Sequence, residues 1–340
     1  MQDTTAELMK TFLLTTGSFV LAMAVTPLLT HYLYKYKLSQ KMRTKAWDGT
    51  SAEVYLSLHK QKEGTPIMGG LLIWVTATIL TLLFNLSRSQ TYLPVFVLVA
   101  TGFLGLIDDS LKVRGIGAIK GLSTKLKFIF QFIIAGLGAW WFYYKLGFSV
   151  VKIPTASFWG LPETWDIGWW YIPLFILVVV FITNAVNITD GLDGLAGGVS
   201  AICFGAFMVI AWISGQFGLA AFCGTVAGAL LAFLWFNIHP ARFWMGDTGS
   251  FALGATLAVV AFLTNSVLVL PIIGLIFVIE ACSSLLQRFS KRYFKKKIFI
   301  SAPLHHHLEA IGWPEAKVTM RLWVVSVVCA SIGVVLMLYR

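Results

Sequence analysis

The chain has 340 residues, 58% of them apolar and only 12% charged, with a mean hydropathy of +0.80. A soluble domain is about half apolar and about a quarter charged, so a globular protein in water is excluded and lipid is part of the solvent. The net charge of +11 would suggest nucleic acid in a soluble protein. Here it is read through where Lys and Arg fall, and no nucleic-acid partner is expected.

A bilayer-spanning helix needs about 20 mostly apolar residues. Ten candidates occur in chain order, near 12–34, 67–86, 92–107, 128–146, 170–187, 195–213, 219–237, 251–264, 267–286 and 322–339. The first is of spanning length with no small-residue cleavage site after it, so a retained helix is expected rather than a signal peptide. The eighth is short and runs almost into the ninth. The connection 147–168 carries Pro154, Trp159, Pro162 and Trp165 and suits an interfacial hairpin with tryptophans at headgroup level. No polar stretch is long enough for a separate domain. Residues 1–340 are therefore read as one all-α integral membrane domain. Cys203, Cys223, Cys282 and Cys329 lie in apolar runs without paired spacing and read as core residues.

Lys and Arg set the orientation. With the N-terminus outside, the cytoplasmic loops fall near 35–66, 108–127, 188–194, 238–250 and 287–321. These hold all but five of the 26 Lys and Arg; Lys10, Arg88, Lys145, Lys152 and Arg340 remain outside. The bias predicts an N-out, C-out layout of ten spans, with the 147–168 hairpin periplasmic. Part of the excess also suits an anionic leaflet and anionic substrates.

The 15 acids gather on the same side. Asp108 and Asp109 end the third stretch. They read either as solvated charges or as a functional pair relieved by a divalent ion or by Lys112, one turn on if the helix continues. In the run Asn184 to Gly198, Asp190 and Asp193 share a face if helical, and Gly191, Gly194, Gly197 and Gly198 allow close approach. The plainer alternative is a capped helix with packing glycines. Asp247, in the Gly-rich turn after Asn237 and Trp244, is either a helix cap or a metal carboxylate beside a base-stacking aromatic. His305, His306 and His307 cannot all reach one zinc from a regular helix or strand, and suit donors near phosphates better. Glu280 lies inside the ninth stretch and must find a partner there.

At these residues the chain resembles the polyprenyl-phosphate N-acetylhexosamine-1-phosphate transferases. The matching segments are Asn184 to Gly198, Asp108–Asp109, Met245 to Ser250 and Ala302 to His307. Within that superfamily, Gly64-Thr65-Pro66-Ile67-Met68-Gly69-Gly70, Pro303 to Glu309 and Gly312-Trp313 look like the phospho-N-acetylmuramoyl-pentapeptide transferases. The resemblance covers about residues 12 to 340. It implies transfer from UDP-MurNAc-pentapeptide to undecaprenyl phosphate, giving lipid I and UMP, with Mg²⁺, on the cytoplasmic face of the bacterial inner membrane. It also implies a homodimer.

Carried over by motif, Asp247 resembles the Mg²⁺ carboxylate. Asp108 resembles the residue that acts on the lipid phosphate, with Asp109 its neighbour. Asn187, Asp190 and Asn237 match uridine or active-site positions, and Asp193 and Trp244 are expected to contact substrate beside them, Trp244 by stacking on uracil. Lys62, Lys125 and Lys127 match basic family positions, and Lys112, one turn after the acid pair, is expected to join them as a substrate contact. Gln287 and the three histidines line the same cleft, the histidines as candidate catalytic groups. Ile67 stands where Thr is usual, and Trp244 where Phe is usual. Residues 47–59 replace a shorter Gly-Pro-x-Ser-His pattern. Two alternatives stay open: a transferase for UDP-GlcNAc or a related sugar, and a transporter.

Overall fold

The computed structural model describes residues 2–39, 62, 64–115, 121–156 and 160–339. The altered loop 47–59 and Trp159 lie outside them. The longer helices are α1 (Gln2–Lys35), α2 (Gly70–Phe84), α3 (Tyr92–Arg114), α4 (Thr124–Trp140), α5 (Tyr171–Thr189), α6 (Leu195–Ile213), α7 (Phe217–Asn237) and α8 (Asp247–Leu263). Then come the short α9 (Leu270–Ile273), α10 (Leu275–Tyr293), the short α11 (Leu304–Ala310) and α12 (Glu315–Leu338). Strands β1 (Val150–Lys152) and β2 (Thr164–Asp166) pair antiparallel, which makes 147–168 the expected hairpin.

Each of the ten apolar stretches is helical, with altered bounds, and one of them divides into two helices. Among the described residues, seven helices are long and apolar enough to cross a membrane. The protein is all-α and multi-pass. The remaining three differ for physical reasons. At 17 residues, α8 is only about 25 Å long at about 1.5 Å per residue. It is buried along its whole length, so protein rather than lipid surrounds it. The 15-residue α2 flanks it. The chain breaks at Gly274 between α9 and α10, and α10 carries a polar face, so the predicted single span 267–286 is two helices.

Glycines let α8 sit at the centre. A methyl group on Gly105 of α3 would overlap the backbone of Asp247, and one on Gly70 of α2 would overlap Gly249. One on Gly254 would lie 2.7 Å from Cα of Thr183 in α5. Small residues at helix contacts gain packing where lipid offers no hydrophobic drive. By contrast α1 exposes Leu13, Val20 and Leu28, and α12 exposes Val324, Val328 and Val335. These are faces for lipid, on which a charge would be costly.

Candidate active site

The α3 helix does not end at the paired acids, as the sequence suggested. It runs to Arg114 and stops at Gly115, whose φ of 65° is left-handed. Asp108, Asp109 and Lys112 therefore lie on one helical turn. Lys112 Nζ is 2.7 Å from Asp108, 3.0 Å from Asp109 and 2.9 Å from Asp247. The α4 helix starts at a Ser123 cap, whose hydroxyl accepts the Leu126 N–H. That brings Lys127 Nζ within 2.7 Å of Asp108 and 2.9 Å of Asp247. The Leu122 N–H donates to Asp108 at 2.7 Å.

Asp247 is the first residue of α8, but Asp109 serves that helix end. The Asp109 carboxylate accepts the Thr248 N–H at 2.9 Å and its hydroxyl at 2.7 Å, satisfying a donor that the helix start leaves free. Gly246 precedes it with φ 73°, and a side chain there would collide with Asp109. Relieved of capping, Asp247 accepts from Asn187 at 2.8 Å. The same amide donates to Ser250 at 2.9 Å. Asp108, Asp109 and Asp247 present carboxylate oxygens within 4.8 Å of one another. Three hard oxygen donors with little exposure fit Mg²⁺.

Asp190 and Asp193 do not share a helical face. They sit in the turn between α5 and α6 and diverge. Asp190 accepts the Gly246 N–H at 3.2 Å. Burial, then the Asp247 and Asp109 carboxylates, push its carboxyl up to about 7, against the Gly246 N–H and Lys112. A raised carboxyl means the folded chain holds more protons than the unfolded one, so stability falls as pH rises between about 4 and about 7. In chelator-treated protein the melting temperature is therefore expected to fall across that window, and less steeply in Asp190→Asn. Equal slopes in thermal melts of the two proteins would refute this.

Asp193 joins a second cluster. It accepts Lys62 at 2.7 Å, the Trp244 indole N–H at 3.1 Å, His239 Nδ1 at 3.0 Å and the Ala241 N–H at 3.1 Å. Burial opposes its charge, but Lys62, Ala241 and His239 outweigh that and hold the carboxyl below its usual range. Lys62 also meets Glu315 at 2.5 Å, and Glu315 accepts the Asp193 N–H at 2.7 Å. Asn237 accepts the Gly194 N–H at 3.0 Å and donates to Phe243 O at 2.9 Å. Asp193, His239 and Glu315 have the spacing of a metal set, but the Lys62 ammonium already supplies the cation. The two clusters adjoin through the 190–193 turn and the 244–247 loop.

The glycosyl transferase family 4 model matches residues 91–265, which include α3, α8, the whole first cluster, and Asp193, His239 and Trp244 of the second but not its Lys62 or Glu315. The phospho-N-acetylmuramoyl-pentapeptide-transferase of Geobacillus thermodenitrificans is 41% identical over 330 residues, covering 93% of this chain and 94% of its own. The chain belongs to the phospho-N-acetylmuramoyl-pentapeptide-transferase family. The Chloroflexus aggregans family member is 39% identical over 347 residues, covering 98% of this chain and 90% of its own.

The remaining family positions are dispersed around these clusters. Lys125 is exposed and shares none of these bonds. Ile67, where the family resemblance led us to expect Thr, is buried. Gln287 spends its amide on the chain beyond α10, accepting the Ile298 and Phe299 N–H groups and donating to Phe299 O. The histidines lie on α11. His305 is fully buried against Glu280, His306 meets Glu309 at 2.8 Å, and His307 accepts the Ile300 N–H at 3.3 Å.

Sequence reasoning missed His239, Thr248, Ser250 and Glu315. Thr248 and Ser250 were visible in the Gly-rich motif, and His239 preceded it, but none carried a role. Glu315 follows Pro314 and looks like an ordinary acid in a first helical turn.

Proposed function

We propose that this chain transfers phospho-MurNAc-pentapeptide from UDP-MurNAc-pentapeptide to undecaprenyl phosphate, releasing UMP and forming lipid I. The observation that carries the reading is the convergence of Asp108, Asp109 and Asp247 with Lys112 and Lys127 at one end of a lipid-facing bundle. The relatives' name supports the donor. The acid-bearing end faces the cytoplasm of a bacterial inner membrane in this reading, in the N-out, C-out layout, with residues 1–340 as one domain and the protein a homodimer.

Phosphoryl transfer needs charge neutralisation and in-line positioning more than covalent help. Mg²⁺, held by Asp247 with its neighbouring carboxylates, would neutralise the diphosphate and the departing UMP. Lys127 is the more exposed of the two lysines (21% against 7%), and so is placed to leave Asp247 for an incoming phosphate. Lys62, Asp193 and Trp244 offer the uridine a cation, an acceptor and a stacking face.

The lipid phosphate attacks the phosphorus bonded to the sugar, and the bond to the bridging UMP oxygen breaks. A phosphate monoester has a second pKa near 6, so the acceptor is mostly dianionic at pH 7 and needs little help from a base. Asp108 is fully buried. One of its oxygens accepts Leu122, and the other faces both lysines. That favours direct transfer, with Asp108 orienting the lysines, over an aspartyl-phosphate intermediate. Phosphorylated protein trapped with the UDP donor alone would overturn it.

The test is UMP release in detergent with undecaprenyl phosphate and Mg²⁺. Release with UDP-MurNAc-pentapeptide is expected. Release only with UDP-GlcNAc would favour the related transferase. Silence with both donors would revive the transporter, although a transporter gathers polar groups near mid-bilayer and these lie at one end of the helices.

A further inference from the structure

One face of α10 carries Glu280, Ser283, Gln287 and Ser290, spaced three and four residues apart. All four hold the segment that leads into the histidine helix. Ser290 donates to Lys296 O at 2.8 Å, and Gln287 pairs with 298–299. Ser283 accepts the Leu304 N–H at 2.9 Å. Glu280 accepts the His305 N–H at 3.2 Å and 3.3 Å. The stripe thus clamps 296–305 and satisfies the free N–H groups at the start of α11.

The last link reaches further. Glu280 and His305 are both fully buried. His305 Nδ1 lies 2.9 Å from the Glu280 carboxylate. The contact is satisfied with Nδ1 donating and the carboxylate accepting. The opposite edge of the ring, Nε2, has no hydrogen-bond partner among the described residues. It stands against Gly191: a methyl group built there would overlap the imidazole. Gly191 follows Asp190 and is two residues before Asp193, the acids that reach the two clusters.

We propose that Glu280 and His305 are positioning residues. The buried carboxylate fixes the imidazole, and the far edge of the imidazole is the stop that sets the Asp190–Asp193 turn. The inference rests on the reading above that this turn helps hold the donor nucleotide. A displaced turn weakens donor binding and spares the lipid acceptor. A purely structural pair would instead change the fraction of active molecules, lowering kcat with both KM values unchanged.

The experiment uses the full chain in detergent. Glu280→Gln keeps size but presents an amide donor or acceptor in place of the carboxylate. It is expected to raise the donor KM about tenfold or more, as loss of a supporting partner does, with the acceptor KM within about twofold. Gly191→Ala is expected to raise the donor KM similarly. Adding His305→Ala makes room for the methyl group, so the double variant is expected to be no worse than His305→Ala alone. Nitrogen-15 NMR of labelled histidine is expected to show His305 protonated at Nδ1 and not at Nε2 in wild type. Unshifted donor KM values, additive effects of the 191 and 305 changes, or a hydrogen on Nε2 would overturn the proposal. A wild-type protein without turnover overturns the reaction and this inference together; wild-type turnover with unshifted variants overturns this inference alone.

Discussion

Asp247→Ala is expected to cut turnover by about a thousandfold or more, the scale seen when a preorganised electrostatic group is lost, while the protein stays folded. Of the three clustered carboxylates, Asp247 is the one with measurable exposure, at 7% against 0% for Asp108 and Asp109. Lys112, Lys127 and Asn187 all converge on it. Removing it leaves two lysines facing Asp108 and Asp109, so no buried carboxylate loses its last cation. Asp109→Ala is a poorer probe. It strips the acceptor from Thr248 at the start of α8, and a lost helix cap costs about 1 kcal/mol. The measurement is UMP release over a Mg²⁺ titration, with size-exclusion behaviour as the folding control. Turnover within about tenfold of wild type, with an unchanged Mg²⁺ response, would remove Asp247 from the metal site.

Much of this arrangement was legible in the sequence because lipid imposes strong rules. Backbone groups must pair within the segment, so long apolar runs had to be helices, and all ten candidates are. What remained hidden was how polar residues divide the work once helices pack. Asp108 and Asp109 looked like a matched pair. Close packing of α3 on α8 through Gly105 has Asp109 hold Thr248 as well as Lys112, while Asp108 faces both lysines. Asp190 and Asp193 looked like one face, but Gly194 adopts φ 76° and the turn sends them to different clusters. Gln287 and His305 carried family motifs of the cleft, yet Gln287 bonds the approach to α11 and His305 bonds Glu280 of α10. Glu315 opens α12 and His239 lies in the loop before α8, and no local period marks two residues so far apart in sequence that meet each other at 3.3 Å and share Asp193.

Lys112→Met tests the charge balance itself. The side chain is 7% exposed and sits between three carboxylates. Methionine keeps most of the volume and removes the charge, leaving Lys127 alone to face Asp108 and Asp247. Stripping one partner from a buried ionic set costs about 3–5 kcal/mol, because the partners left behind stay out of water. A marked fall in melting temperature in the presence of chelator is therefore expected. A divalent cation bound by the same carboxylates would replace the missing charge, and a ligand that binds only the folded state stabilises it by mass action. Added Mg²⁺ is then expected to raise the melting temperature of Lys112→Met more than that of wild type, where the ion must compete with the ammonium. Thermal melts of both proteins across one Mg²⁺ series measure the difference. Parallel shifts would mean that the ion is held somewhere other than Asp108, Asp109 and Asp247, since only there does the lysine stand in its place.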